Sequence, residues 1–224
     1  MLKAIIYDIG GTLVKTDTAV IASLEYALKE NGIFVFNKEK IINSLGKSSL
    51  YNITLAVKSS YNGDDVDSVI ERVRKSYKKI FPQKMFTHGK IFPDVIESLS
   101  KLKKLGIKQA ILTGFLNKEA ELILTTLNLK SYFSVLVTVD QVHNLRPHPE
   151  ALNLAIKKLG CLENECIYIG DTIADIQMAK NAHVKMICVQ TGVQNNYLLK
   201  KKKPDYFLQG IPQATDLIIK QLSI

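Results

Sequence analysis

The stretch YDIGGTLV sets one carboxylate, Asp8, directly after an apolar run and follows it with Gly10, Gly11 and Thr12. Farther along, ILTGF carries Thr113 and Gly114, LRPHPEAL carries Arg146, and YIGDTIAD carries Asp171 and Asp175. These residue types share a chemistry. Carboxylate oxygens suit a hard divalent cation, and a carboxylate can act as a nucleophile that divides a group transfer into two easier steps. A threonine hydroxyl and the amide after it can donate to anionic oxygens, and the planar fork of arginine suits two such oxygens at once. An acid, two hydroxyls, an arginine and an acidic pair form too specific a set to be core packing. A structural alternative for the last pair, capping of a helix that starts near Thr172, stands beside that reading.

Such residues act together only if the fold brings them together. The apolar runs at 3–7, 109–112, 166–169 and 184–189 read as buried strands, with 135–139 as a fifth, and amphipathic segments lie between them. That alternation is the pattern of a parallel sheet covered by helices. In a doubly wound sheet, residues just beyond the carboxyl ends of neighbouring strands meet in one crevice. The motif residues occupy such ends, with Arg146 in the loop and helix start after the fifth run. Residues 94–105 have helical spacing closed by Gly106 as a C-terminal cap. Between 16 and 87 the pattern changes: 19–31, 38–45, 48–60 and 64–81 read as helices, and no central strand interrupts them. The expected organisation is therefore an α/β core formed by 1–15 and 88–224 with an all-helical cap of 16–87 inserted into it, Pro82 and the His88-Gly89 pair marking the return.

The bulk numbers exclude other classes. With 46% apolar and 23% charged residues in 224, the chain has the composition of a soluble globular protein. Its start lacks the features of a signal peptide, and no run approaches the roughly 20 apolar residues of a membrane span. A cytoplasmic protein with no membrane partner is expected. Cys161, Cys166 and Cys188 are odd in number and have no metal-ligand spacing, so reduced thiols are expected. The formal charge of +9 owes part of its excess to the run from Lys200 to Lys203. Without aromatic interleaving, zinc-finger spacing or a recognition helix it implies no nucleic acid, although a positive field can steer a small phosphorylated substrate. A monomer and a homodimer fit equally.

In order and chemistry, DIGGT, ILTG, RPHP and GDTIAD resemble the motifs of the haloacid dehalogenase superfamily of phosphotransferases, with a helical cap after the first motif, over nearly the whole chain. The resemblance implies a Rossmann-like doubly wound parallel core and an aspartyl-phosphate formed on Asp8. It also implies Mg2+ bound by Asp8, the main-chain carbonyl of Gly10 and Asp171, with Asp175 in the inner or outer shell. Thr12, Thr113, Gly114 and Arg146 become the phosphate contacts, Arg146 standing where family members usually carry lysine. The substrate would be a small phosphorylated molecule, met from the cap side by residues such as Lys47, Ser48 and Asn52.

One position departs from the family pattern of Asp, any residue, Asp, Gly, Thr. The second aspartate, which protonates the leaving group and then activates water, is here Gly10. Such a group contributes about 10²- to 10⁴-fold in rate. Three readings follow. The first is a Mg2+-dependent phosphatase for good leaving groups such as acyl or aryl phosphates, or one in which another group, His88 or His148, substitutes. The second is carbon-phosphorus cleavage as in phosphonoacetaldehyde hydrolases, which also have a small residue there and use a cap lysine as a Schiff base; Lys47 is the candidate, at a different spacing. The third is a phosphate-binding protein without turnover. The intact acidic pair argues against a true dehalogenase, whose chemistry needs no metal.

Overall fold

A strand such as AIIY, with no charged residue in its span and one hydroxyl at its end, is stable with both faces covered. The computed structural model describes residues 2–222 and buries that strand completely. In chain order the elements are β1 (Ala4–Tyr7), β2 (Val14–Lys15), α1 (Asp17–Glu30), α2 (Lys38–Ser44), α3 (Ser49–Lys58), α4 (Val66–His88), β3 (Lys90–Ile91) and α5 (Val95–Lys104). They continue with β4 (Lys108–Leu112), α6 (Asn117–Thr126), β5 (Val135–Val137), α7 (Glu150–Leu159), β6 (Cys166–Gly170) and α8 (Ile173–Asn181). The chain closes with β7 (Lys185–Val189), α9 (Asn196–Lys201), β8 (Tyr206–Leu208) and α10 (Ile211–Leu222).

Six strands form one parallel sheet in the order β5-β4-β1-β6-β7-β8. Alternation along β1 divides its side chains between two cores. Ile5 and Tyr7 pack with Leu99 and Leu102 of α5 and Ile218 of α10. Ala4 and Ile6 pack on the opposite face with Leu152 and Ile156 of α7 and Met178 of α8. The fold is therefore an α/β, Rossmann-like doubly wound sheet, and its central β1 lies between β4 and β6. The sixth strand, β8, was absent from the sequence reading; it has three half-buried residues at the sheet edge and follows the lysine run.

Helices α1 to α4 lie between β2 and β3, which pair antiparallel with Val14 opposite Ile91. These two-residue strands bring the chain back beside the point where it left, and they too are shorter than any sequence pattern can announce. Pro82 does not end α4, as the sequence reading expected: the helix runs through it to His88. Val69, Val73, Tyr77, Phe81 and Met85, four apart, are all buried on one face. That continuous apolar stripe outweighs the single backbone bond a proline removes.

Candidate active site

Because β1, β4 and β6 are neighbours, the residues beyond their carboxyl ends converge. Asp8 is buried there, and its Oδ1 accepts from Arg146 Nη2 at 2.9 Å. Burial lifts its carboxyl to about 6, against the pull of Arg146 and of the Ile9 amide. Asp171 lies across the first loop, with Oδ1 accepting the Thr12 hydroxyl at 2.8 Å. Burial, and then the charges of Asp8 and Asp175, hold the Asp171 carboxyl well above its ordinary range.

Gly11 answers for one of the two adjacent glycines. Its φ is +82°, a region L side chains avoid, and a Cβ on it would run into the Asp171 carboxylate. Gly10 has a different constraint: a Cβ there would lie 2.6 Å from Thr16 Oγ1 and 3.4 Å from the ring of Phe115. The backbone bonds of the turn go to the carbonyls of Ile9 and Val14, and Thr191 donates to the carbonyl of Gly11, which leaves the Gly10 carbonyl open.

Two of the expected phosphate contacts are engaged by groups of the chain itself. Thr12 is fully buried, and its hydroxyl donates its proton to Asp171. Arg146 also presents no open fork. Nη1 donates to Asp175 at 2.6 Å, and Nη2 donates to Asp8 and to the Leu112 carbonyl at 3.0 Å. Thr113 and Gly114 keep donors for a ligand. The Thr113 hydroxyl accepts from the Phe115 amide at 3.3 Å, which leaves its proton free to donate, and the Gly114 amide donates to no group among the described residues.

Asp175 is the most heavily bonded acid. Its oxygens accept from Arg146, from the Tyr168 hydroxyl at 2.7 Å, and from the Thr172 amide and hydroxyl at 3.1 and 2.6 Å. Thr172 and Asp175 form a reciprocal cap on α8, as the spacing T-x-x-D allows. Tyr168 escaped the sequence reading because a tyrosine in a buried strand reads as core. Its only signal was the strand position three residues before Asp171.

The carboxylate oxygens of Asp8, Asp171 and Asp175 lie within 4.8 Å of one another. Three buried acids face one guanidinium, so the donor set and its charge fit a divalent cation. Asp8, Asp171 and the Gly10 carbonyl retain open oxygens for it, whereas Asp175, whose oxygens are taken, fits an outer position.

A cavity of about 280 Å³ opens above these groups, lined on the core side by Asp8, Gly10, Thr113, Gly114 and Asp171 and on the helical side by Thr16, Asp17, Asn52 and Tyr77 among others. The loop between α2 and α3 reaches over it: a Cβ on Gly114 would lie 2.6 Å from the Gly46 carbonyl. Lys47, next in that loop, is exposed at the rim with its Nζ 4.0 Å from the centroid of the Tyr51 ring. No histidine lines the cavity. His88 turns to Thr87 and the Lys84 carbonyl, and exposed His148 pairs with Glu150, so neither is placed to substitute for the missing acid.

A doubly wound sheet whose central strand ends carry an acid cluster, facing a hydroxyl and an open amide, defines a Rossmann-like α/β protein with a crevice suited to an anion and a cation together. Residues 5–189 match the haloacid dehalogenase-like hydrolase family, and the chain belongs to it. It is 30% identical over 208 residues to the pyrophosphatase PpaX of Bacillus velezensis, covering 93% of this chain and 92% of that protein. It is 27% identical to the pyrophosphatase PpaX of Halalkalibacterium halodurans, covering 97% of each. Among solved structures, a predicted phosphoglycolate phosphatase from Haemophilus somnus superposes with a TM-score of 0.89 at 21% identity, over 97% of this chain and 98% of that one. A hydrolase from Pseudomonas syringae does so with 0.82, also at 21% identity, over 97% and 98%. No described helix is long and apolar enough to cross a membrane.

Proposed function

We propose that the chain is a Mg2+-dependent phosphatase that transfers the phosphoryl group of a small metabolite to Asp8 and then to water, and that its leaving group is weakly basic. The observation that carries this reading is the pair of open carboxylate oxygens on Asp8 and Asp171 beneath the donors of Thr113 and Gly114. Asp8 Oδ2, opposite the oxygen held by Arg146, forms the bond to phosphorus while the bond to the leaving oxygen breaks and its electron pair departs with that oxygen. Water then attacks phosphorus and releases phosphate and the Asp8 carboxylate. Thr113 and the Gly114 amide bind the phosphoryl oxygens, and Arg146 orients Asp8 and joins it to Asp175. Mg2+, held by Asp8, Asp171 and the Gly10 carbonyl, would neutralise charge shared between nucleophile and phosphate.

A leaving group that departs as a stable anion needs no proton, which is compatible with glycine at position 10. Phosphate leaving from a phosphoanhydride has that property, and relatives named pyrophosphatase support it as the substrate class. The Schiff-base alternative draws no support from an exposed lysine stacked on a tyrosine, because such amines are activated by desolvation or by a neighbouring cation. In the same reading, 16–87 serve as a cap over a core of 1–15 and 88–224, and the enzyme works in the cytoplasm, where its free cysteines stay reduced. The test is phosphate release from pyrophosphate, acetyl phosphate and para-nitrophenyl phosphate, with and without Mg2+. Release that requires the metal and disappears in Asp8→Asn supports the proposal; release that survives Asp8→Asn, or none at all, overturns it.

A further inference from the structure

We infer that the Thr16 hydroxyl is the hydrogen-bond donor to the leaving-group oxygen, standing in the space that the side chain of residue 10 occupies in relatives that carry one. The inference rests on the reading that Asp8 attacks phosphorus. Thr16 is the residue before α1, a position where threonine normally accepts a bond from the first amides of the helix. Here its side chain makes no such bond. The residue is 6% exposed, yet its oxygen opens on the cavity it lines, unlike the sealed and unpartnered hydroxyls of Tyr77 and Thr138. Its direction is given by a second measure: Oγ1 lies 2.6 Å from the point where a Cβ of residue 10 would stand, and the Phe115 ring lies 3.4 Å from the same point. A buried hydroxyl that forgoes its local bond and points at residue 10, two positions after the nucleophile, is placed for a ligand oxygen.

The chemistry is limited in a way that can be measured. As the new bond to Asp8 forms, the electron pair of the breaking bond collects on the leaving oxygen, and Thr16 donates a hydrogen bond to it while keeping its proton. A hydroxyl therefore stabilises a leaving anion but does not neutralise it. The rate then depends on the basicity of the leaving group, and the dependence steepens when the hydroxyl is removed. The same geometry predicts that an acid restored at position 10 must displace the Thr16 hydroxyl, because its Cβ would stand 2.6 Å from Oγ1.

The experiment compares wild type, Thr16→Val, Thr16→Ser and Asp17→Asn on pyrophosphate, para-nitrophenyl phosphate and glycerol 2-phosphate with Mg2+, alongside thermal melts. Thr16→Val is expected to lower kcat by about tenfold to a hundredfold, at or below the range for a donor to a developing oxyanion. The loss should be largest for glycerol 2-phosphate, while Thr16→Ser keeps most of the rate. Gly10→Asp alone should lower both activity and melting temperature. Gly10→Asp in a Thr16→Ala background should hydrolyse glycerol 2-phosphate faster than Thr16→Ala itself. Wild-type rates for Thr16→Val on all three substrates overturn the inference, as does a leaving-group-dependent loss confined to Asp17→Asn, which would give the role to the neighbouring carboxylate. Absence of any Asp8-dependent hydrolysis in the wild type is a different result, and it overturns the proposed function together with the inference.

Discussion

Arg146 and Asp8, 138 positions apart in the chain, meet at 2.9 Å with side-chain exposures of 7% and 3%. The other branch of the same guanidinium holds Asp175, whose side chain is fully buried. Breaking a buried pair leaves a charge without water or partner, which costs about 3–5 kcal/mol. Arg146→Met is expected to lose stability on that scale in urea unfolding, together with most phosphate release. Arg146→Lys should fall between, because an ammonium can serve as a point charge for one acid but does not bridge two with a planar fork. Wild-type stability in Arg146→Met would mean that the acids do not depend on this countercharge.

The contact between Gly11 and Asp171 predicts a loss of metal response. Ligand present at about 100 times its dissociation constant stabilises a fold by about 2.7 kcal/mol, so Mg2+ should raise the melting temperature of the wild type. Asp171→Asn should abolish the rise. Gly11→Ala should also weaken it, since the new methyl displaces the Asp171 carboxylate, and the left-handed backbone of +82° adds about 1–2 kcal/mol of strain. A full Mg2+ shift in Gly11→Ala would show that Asp171 is not held in place by that close approach.

How much of this was legible in the sequence depends on the kind of pattern involved. The strands of the sheet centre could be read because apolar runs bounded by turns are a local signal, and their order then placed Asp8, Thr113 and Asp171 near one crevice. The pairing of Arg146 with two carboxylates was not readable, because an arginine in a loop carries no mark of which oxygens it will meet. Tyr168 and Thr16 were missed for the same reason: each looks local, a strand residue and a helix start, yet Tyr168 bonds an acid of the next helix and Thr16 lines the cavity. Pro82 shows the converse, where a strong local rule for ending a helix gave way to the buried stripe running past it.

Glu150 gives a pH dependence with a definite sign. Its carboxylate accepts from the amides of His143 and Asn144, each at 2.9 Å, and from the Asn144 side chain at 2.8 Å, tying down the loop that leads to Arg146. Those bonds, the His143 amide first, lower the carboxyl from 4.5 to about 2. Because the folded value lies below the unfolded one, the stabilisation is complete above about 4.5 and is lost as pH falls through about 2. Glu150→Gln should therefore melt below the wild type at neutral pH, with the difference narrowing below about 4.5 and closing near 2. A difference that stays constant across this range would remove the carboxylate's charge as its cause.

Tyr77 allows a prediction of the opposite sign. Its ring stacks on Phe81 with centroids 5.4 Å apart, but its hydroxyl is sealed and has no partner among the described residues. An unsatisfied buried polar group costs about 1–3 kcal/mol, and deleting it removes that cost. Tyr77→Phe keeps the ring and the stripe of α4, so it should raise stability by about 1 kcal/mol, read as a higher urea midpoint with an unchanged slope. Because Tyr77 also lines the cavity, KM for pyrophosphate should be measured on the same variant. Stabilisation with unchanged KM fits a hydroxyl that bonds nothing in either state. Destabilisation would instead mean that the hydroxyl finds a partner in solution, for which the Glu119 carboxyl is the candidate: its charge acts on Tyr77, its Oε1 is unpartnered among the described residues, and burial raises its affinity for a proton.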